Sequence, residues 1–209
     1  MHTLIKLFEQ HRFDILVGTQ MVVKGLDFEK VSLVGILDAD GLLSFADFRV
    51  NERAFQLMEQ VSGRAGRKTE QGLVLIQASK INHPVLLFLQ EHDYEKFYEN
   101  EIAMRKQFFY PPYSRLIRLT LKHKIKETVQ DAAGVLGNLL KKDFENLVGP
   151  AAPVVNRVRS MYLMEILIKL SKDAAHIQVQ KKVISNYIDL LKAEKRFRSI
   201  VLIPDVDPV

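Results

Sequence analysis

The sequence predicts an α/β chain in two parts: a partial parallel-sheet lobe over residues 1–110, then a small α+β domain of ferredoxin-like pattern over residues 111–209. Three observations carry this. Short apolar runs end in glycine or aspartate and are separated by a helical stretch, the signature of parallel strands with crossovers. Tyr110-Pro111-Pro112-Tyr113 interrupts the chain with a stiff, extended dipeptide that continues neither a helix nor a sheet ladder. After it, the pattern becomes strand, helix, strand, helix, strand.

The elements follow in order. MHTLIKLFEQHRF reads as an amphipathic helix with Leu4, Leu7, Phe8 and His11 on one side. Residues 14–18, 31–38 and 72–77 read as buried strands, and 51–61 (NERAFQLMEQV) as the helix between the last two. Residues 83–109 are apolar at helical spacing in two pieces. In the second part, SRLIRLTLKH reads as an alternating strand, with Leu116, Leu119 and Leu121 apolar and arginines between them. Residues 126–144 form a helix with Val129, Ala132, Ala133, Leu136, Leu139 and Leu140 inward. Tyr162–Leu170 is a strand, Ile177–Leu191 a helix and Ser199–Pro204 a last strand. LVGPAAPVVN reads as a Pro/Gly loop, with an extra edge strand as the alternative.

Composition narrows the function. The chain has 209 residues and no cysteine, which excludes disulfides and cysteine-based zinc sites within it. No apolar run approaches the roughly 20 residues of a membrane-crossing helix, and a cytoplasmic location is expected. Charge is uneven: thirteen Lys/Arg face fifteen Asp/Glu through Tyr113 (net −2), and seventeen face ten from Ser114 onward (net +7). The basic half calls for an anionic partner, with a solvated lysine face as the plain alternative. Six histidines are scattered without metal-ligand spacing, so no metal is assigned. Asp38-Ala39-Asp40 could suggest Mg²⁺ ligands, but a strand-end turn with Gly41 is favoured. Phe108, Phe109, Tyr110 and Tyr113 could stack on bases, though packing is the commoner use at such spacing.

Two clusters carry chemistry. QVSGRAGR (60–67) places Arg64 and Arg67 three residues apart among glycines. It is not a phosphate loop, because Lys68-Thr69 follows arginine and lacks the preceding glycine ring. Guanidinium forks at this spacing can grip phosphoryl oxygens; two surface arginines after a capped helix are the alternative. ILVGTQMVVKGLDF (15–28) offers Thr19 and Lys24 as phosphate contacts, and Asp27 as a ribose or arginine partner or a cap.

These two clusters resemble motifs V and VI of the superfamily 2 DNA helicases. The intervening DADGLLSFADFRVNERAFQLMEQ, the Pro-Pro-Tyr hinge, GPAAPV and the terminal Pro-Asp-Val-Asp-Pro are similar to the PriA (primosomal protein N′) family along nearly the whole chain. The resemblance implies the end of a RecA-like second helicase lobe followed by a C-terminal DNA- and partner-binding domain. It implies an ATP-dependent 3′→5′ DNA helicase of replication restart and primosome assembly. In it Arg64 and Arg67 act as catalytic fingers, with Gln60, Gly63, Gly25 and Asp27 at the nucleotide, and Thr19, Gln20, Lys24, Arg157 and Arg159 at DNA. ATP and Mg²⁺ belong to the full-length enzyme, whose first lobe and zinc module are absent here. The implied partners are branched or single-stranded DNA, single-strand-binding protein, other primosome proteins and the missing first lobe, with no membrane. One departure stands out: residues 159–166 read Arg-Ser-Met-Tyr-Leu-Met-Glu-Ile, less polar and aromatic than the family's pattern. A non-enzymatic nucleic-acid or protein-docking module is the competing reading.

Overall fold

The structure, a computed structural model, describes residues 2–19, 31–63, 65 and 72–208. It separates into two compact units, Met1–Ile102 and Ala103–Val209.

In the first unit, α1 (His2–Glu9) precedes β1 (Leu33–Ile36), α2 (Ala39–Leu43), α3 (Val50–Ser62), β2 (Leu73–Ile76), α4 (Pro84–Gln90) and α5 (Tyr94–Gln107), the last running on into the second unit. β1 and β2 pair in parallel from Leu33↔Leu73 to Ile36↔Ile76. Helix α3 lies between them in sequence and buries Ala54, Phe55 and Met58, the stripe its periodicity prescribes. Phe55 stacks on Phe97 with ring centroids 4.2 Å apart and planes 9° off parallel, an offset-stacked aromatic pair at the centre of this core. Beside it Asn51 Nδ2 donates to the buried Glu101 carboxylate at 2.8 Å, tying α3 to α5. Pro84 opens α4, where its missing N–H costs nothing, and the His83 ring accepts from Val85 N at 3.3 Å.

Three expectations fail in this unit, the first being burial of the strands at 31–38 and 72–77, which are shorter and leave Leu33, Leu73 and Leu75 exposed. Residues 14–18 form no strand, and Ile15 and Val17 are 79% and 82% exposed. An apolar run becomes a buried strand only beside a neighbour that accepts its ladder, and the described parallel sheet consists of β1 and β2 alone. In α1 the buried residue is Ile5, whereas Leu4 is 55% exposed; Leu7 and Phe8 are half-buried as expected. Leu4 and Ile5 are adjacent, about 100° apart around the helix, and only one can centre the inward stripe.

The second unit runs β3 (Arg115–His123), α6 (Lys126–Leu140), β4 (Leu147–Ala151), β5 (Arg157–Val158), β6 (Met161–Leu170), α7 (Ala174–Ala193), a 3₁₀ turn (Lys195–Phe197) and β7 (Val201–Val206). The antiparallel sheet has the order β4-β6-β3-β7, with β5 hairpinned onto β6. Ile117, Leu119 and Leu121 of β3 and Met164, Ile166, Ile168 and Leu170 of β6 alternate inward, and meet Val129, Ala132, Ala133, Leu136 and Leu140 of α6. The open alternative for residues 147–156 resolves toward a strand, since β4 pairs with the outer side of β6. Gly149 makes that possible: its φ is +97°, and a Cβ there would stand 2.6 Å from the Glu165 carbonyl oxygen.

The segment around Pro111-Pro112 and the terminus are both pinned to this sheet. Lys169 Nζ donates to the Phe108 carbonyl at 2.6 Å and sits 3.5 Å from the centroid of the Tyr110 ring. Burial pushes its ammonium below the ordinary lysine value. Buried Ser114 donates to the Phe109 carbonyl at 2.9 Å. At the other end Asp207 accepts from Arg115 Nη1 at 2.5 Å, and its backbone N–H donates to the Leu116 carbonyl at 2.8 Å. Among the described residues no helix is long and apolar enough to cross a membrane.

Candidate nucleotide and nucleic-acid site

The site expected from the sequence is built outward from α3. Burial of Ala54, Phe55 and Met58 fixes the helix rotation, and this leaves Gln60 exposed on the last turn. Gly63 caps the helix, its N–H donating to the Glu59 carbonyl at 2.9 Å, and it too is exposed. A Cβ on Gly63 would only come to 3.5 Å from that carbonyl, so the cap does not demand glycine. Having no side chain, Gly63 adds no bulk beside the exposed Gln60 amide.

Arg64, Arg67, Gly25, Asp27, Gln20 and Lys24 lie outside the described residues. Thr19, the last described residue before the second of these segments, is exposed and outside regular structure. Of the expected nucleotide-side group, the structure therefore brings Gln60 and Gly63 together at one helix end.

At the carboxyl ends of β1 and β2 the geometry answers the question of Asp38 and Asp40. Asp38, with φ 58°, caps α2 by accepting from Gly41 N at 3.1 Å. Asp40 accepts the backbone N–H of Ser79 at 2.5 Å and points a second oxygen toward Lys80 N at 3.4 Å. The Ser79 amide holds its carboxyl below the usual aspartate range. The favoured turn is thus present, extended into a short helix, and both carboxylates face backbone amides. Among the described residues no group of three His, Asp or Glu could hold a metal ion. The donor set here does not fit Mg²⁺, which wants several free oxygens in octahedral array.

Arg157 and Arg159 are both exposed. The Arg157 guanidinium lies 5.0 Å from the Tyr162 ring centroid, directly across the β5–β6 ladder. Arg159 and Ser160 form the hairpin turn with φ of 47° and 64°, the paired positive angles of a two-residue turn that matches strand twist. Sequence reasoning missed the Asn51–Glu101 tie, the Lys169 clamp and the part played by Asp207. The first joins residues 50 apart in sequence, and no local pattern announces it.

Comparison with known proteins agrees with the motifs. Residues 106–209 match the family model of the primosomal protein N C-terminal domain, and residues 2–69 match that of the helicase conserved C-terminal domain. The replication restart protein PriA of Bacillus subtilis (strain 168) is 36% identical over 208 residues, 98% of this chain and 25% of the relative. That of Synechocystis sp. is 42% identical over 170 residues, covering 79% and 20%. That of Treponema pallidum is 39% identical over 205 residues, covering 97% and 30%. The chain thus spans about a quarter of the length of these relatives. With helicase-type and primosomal matches falling on successive parts of one sequence, the chain belongs to the PriA family of replication restart proteins.

Proposed function

We propose that this chain supplies the end of the second motor lobe and the basic tail domain of an ATP-dependent 3′→5′ DNA helicase that restarts replication. Residues 1–110 are the C-terminal part of a RecA-like lobe, and 111–209 the DNA- and partner-binding domain, of ferredoxin-like pattern. The supporting observation is α3. Its core-anchored face leaves Gln60 and the Gly63 cap exposed at the point where the chain enters Gly63-Arg64-Ala65-Gly66-Arg67. Arg64 and Arg67 then offer guanidinium forks to the γ-phosphate of ATP held by the motor's first lobe, with Gly25 and Asp27 beside the nucleotide. ATP·Mg²⁺ supplies the phosphoryl group and the metal charge when bound, and Mg²⁺ is held outside this chain. Thr19, Gln20 and Lys24 contact one DNA strand's phosphates, and Arg157 and Arg159 contact DNA from the second domain. Single-strand-binding protein and other primosome proteins are the partners.

The chain alone is expected to hydrolyse ATP no faster than buffer. In the full-length protein, Arg67→Ala should lower DNA-stimulated turnover on the order of 10³-fold while leaving DNA affinity near the parent's. Unchanged turnover would falsify the finger assignment, and a measurable Arg67-dependent ATPase rate from this chain by itself would overturn its expected inactivity. The net charge of +7 after Tyr113 favours one second reading, a non-catalytic nucleic-acid or docking module. The same variant separates the two, because such a module would leave ATP turnover indifferent to Arg67.

A further inference from the structure

The basic charge of the second unit is not spread evenly. The register sets His123 of β3 opposite Tyr162 of β6, and Tyr162 opposite Arg157 of β5. Lys122 sits opposite Val201, so the loop after β3 and the segment before β7 leave the sheet at the same end as the β5–β6 hairpin. His123 fixes that meeting. Its Nδ1 lies 3.1 Å from Ile125 N and 3.3 Å from the Ile125 carbonyl oxygen, and its Nε2 hydrogen-bonds with Ser199 Oγ at 3.1 Å. One end of the sheet therefore gathers Lys122, Lys124, Lys126, Arg157, Arg159 and Arg198 from three separate segments. All but the half-buried Lys122 are exposed. Among the described residues none of the six has a carboxylate within 4.0 Å. The nearby acids are few: Glu127 follows Lys126, and Glu194 pairs with Arg196 at 2.9 Å.

We propose that this sheet end is a phosphate-backbone site for duplex nucleic acid, and that it does not read bases. The proposal rests on the DNA-binding reading of the second domain and narrows it to a surface and a substrate form. The aromatic content decides between duplex and single strand. Sequence-tolerant single-strand sites depend on free ring faces for stacking. Here Tyr162 is half-buried and carries the Arg157 guanidinium on its ring. Phe197 is buried, with Arg196 4.2 Å from its centroid. With no free ring among these residues, binding depends on phosphate charge density. That density is greater along duplex, about one charge per 1.7 Å of axis against 3.4 Å for each of its strands. Four adjacent strands, β5-β6-β3-β7, at about 4.8 Å spacing set the cations across about 14 Å, or about four phosphates along one strand.

Fluorescence anisotropy with the whole chain tests this, using a short blunt duplex, a single strand of the same length, and an acidic peptide. The duplex should bind more tightly than the single strand, whatever its base sequence. The slope of log affinity against log salt should be about −3 to −4. Lys124→Gln/Lys126→Gln should flatten that slope by about two, whereas Lys181→Gln/Lys182→Gln on exposed α7 should leave it unchanged. Far-ultraviolet circular dichroism and thermal melts check that each variant is folded. Duplex binding that is unaffected by the first pair, or equally affected by the second, overturns the location but not the domain's role. Preference for the single strand overturns the substrate form. Binding of the peptide but of neither nucleic acid overturns both this site and the DNA-binding reading.

Discussion

At the scale of single residues, glycine chemistry separates strict requirement from opportunity. Gly149 and Gly63 both look like loop glycines in the sequence. Gly149 sits at φ +97° against the Glu165 carbonyl oxygen, where any Cβ clashes with backbone. Gly63 has an ordinary φ of −65° and room for a methyl group. Gly149→Ala should therefore destabilise the second unit by about 1–3 kcal/mol, the cost of a strained backbone position. Gly63→Ala should leave stability within about 0.5 kcal/mol of the parent. Urea unfolding of the two variants side by side checks this; a Gly149→Ala midpoint matching the parent's would show that β4 can shift away from β6. Asp40 teaches the same lesson for charge. In the sequence it could be a metal ligand, and only the distance to Ser79 N reveals that a backbone amide already occupies it.

At the scale of elements, β7 shows how an edge strand is kept from pairing with other chains. The bond from Asp207 N–H to the Leu116 carbonyl fixes the ladder's phase. Counting back by twos, residues 205, 203 and 201 point N–H toward β3, and Leu202, Pro204 and Val206 point outward. Pro204 thus removes a donor from the free edge and none from the ladder, where proline is tolerated in a sheet. The edge needs this, since Val201, Ile203 and Val206 are 44%, 43% and 50% exposed. Pro204→Val should raise the chain's tendency to self-associate, seen as a steeper rise of mass with concentration in sedimentation. A profile identical to the parent's would mean that the edge is guarded by something other than proline. Element type was largely legible beforehand: α3, α6, β3 and β6 fall where periodicity puts them. Residues 14–18 did not, because a run of Ile, Leu and Val records a preference for burial and not the presence of a neighbour.

At the scale of the molecule, the two units differ in how completely they close. The second has a five-stranded sheet with helices over its apolar face and a core of seventeen buried residues. Among its described residues the first has a two-stranded sheet, with Leu33, Leu73 and Leu75 each more than half exposed. Hydrogen exchange should accordingly find the slowest amides in β3 and β6, which are flanked on both sides. β1 and β2, each paired on one side only among the described residues, should exchange well before them. Comparable protection in the two sheets would show that the first unit is stabilised by more than its own described contacts. The candidate site divides along the same line. Gln60 and Gly63 could be placed by helical pitch alone, while the gathering of Lys122, Lys124, Lys126 and Arg198 beside Arg157 could not. Their segments are up to 76 residues apart and meet only through the β3–β6 and β3–β7 registers.

By itself the sequence determined the family, the helices and strands of the second part, and the charge imbalance. All of these are written in short-range spacing, which neighbouring side chains enforce within a turn of helix or a pair of strand residues. Tertiary structure alone decided which apolar run found a partner and which aspartates were already occupied. It also decided where the Pro111-Pro112 segment was clamped and which end of the sheet became basic. Each of these depends on contacts between distant segments, and the registers that create them are set by the packing of the whole core.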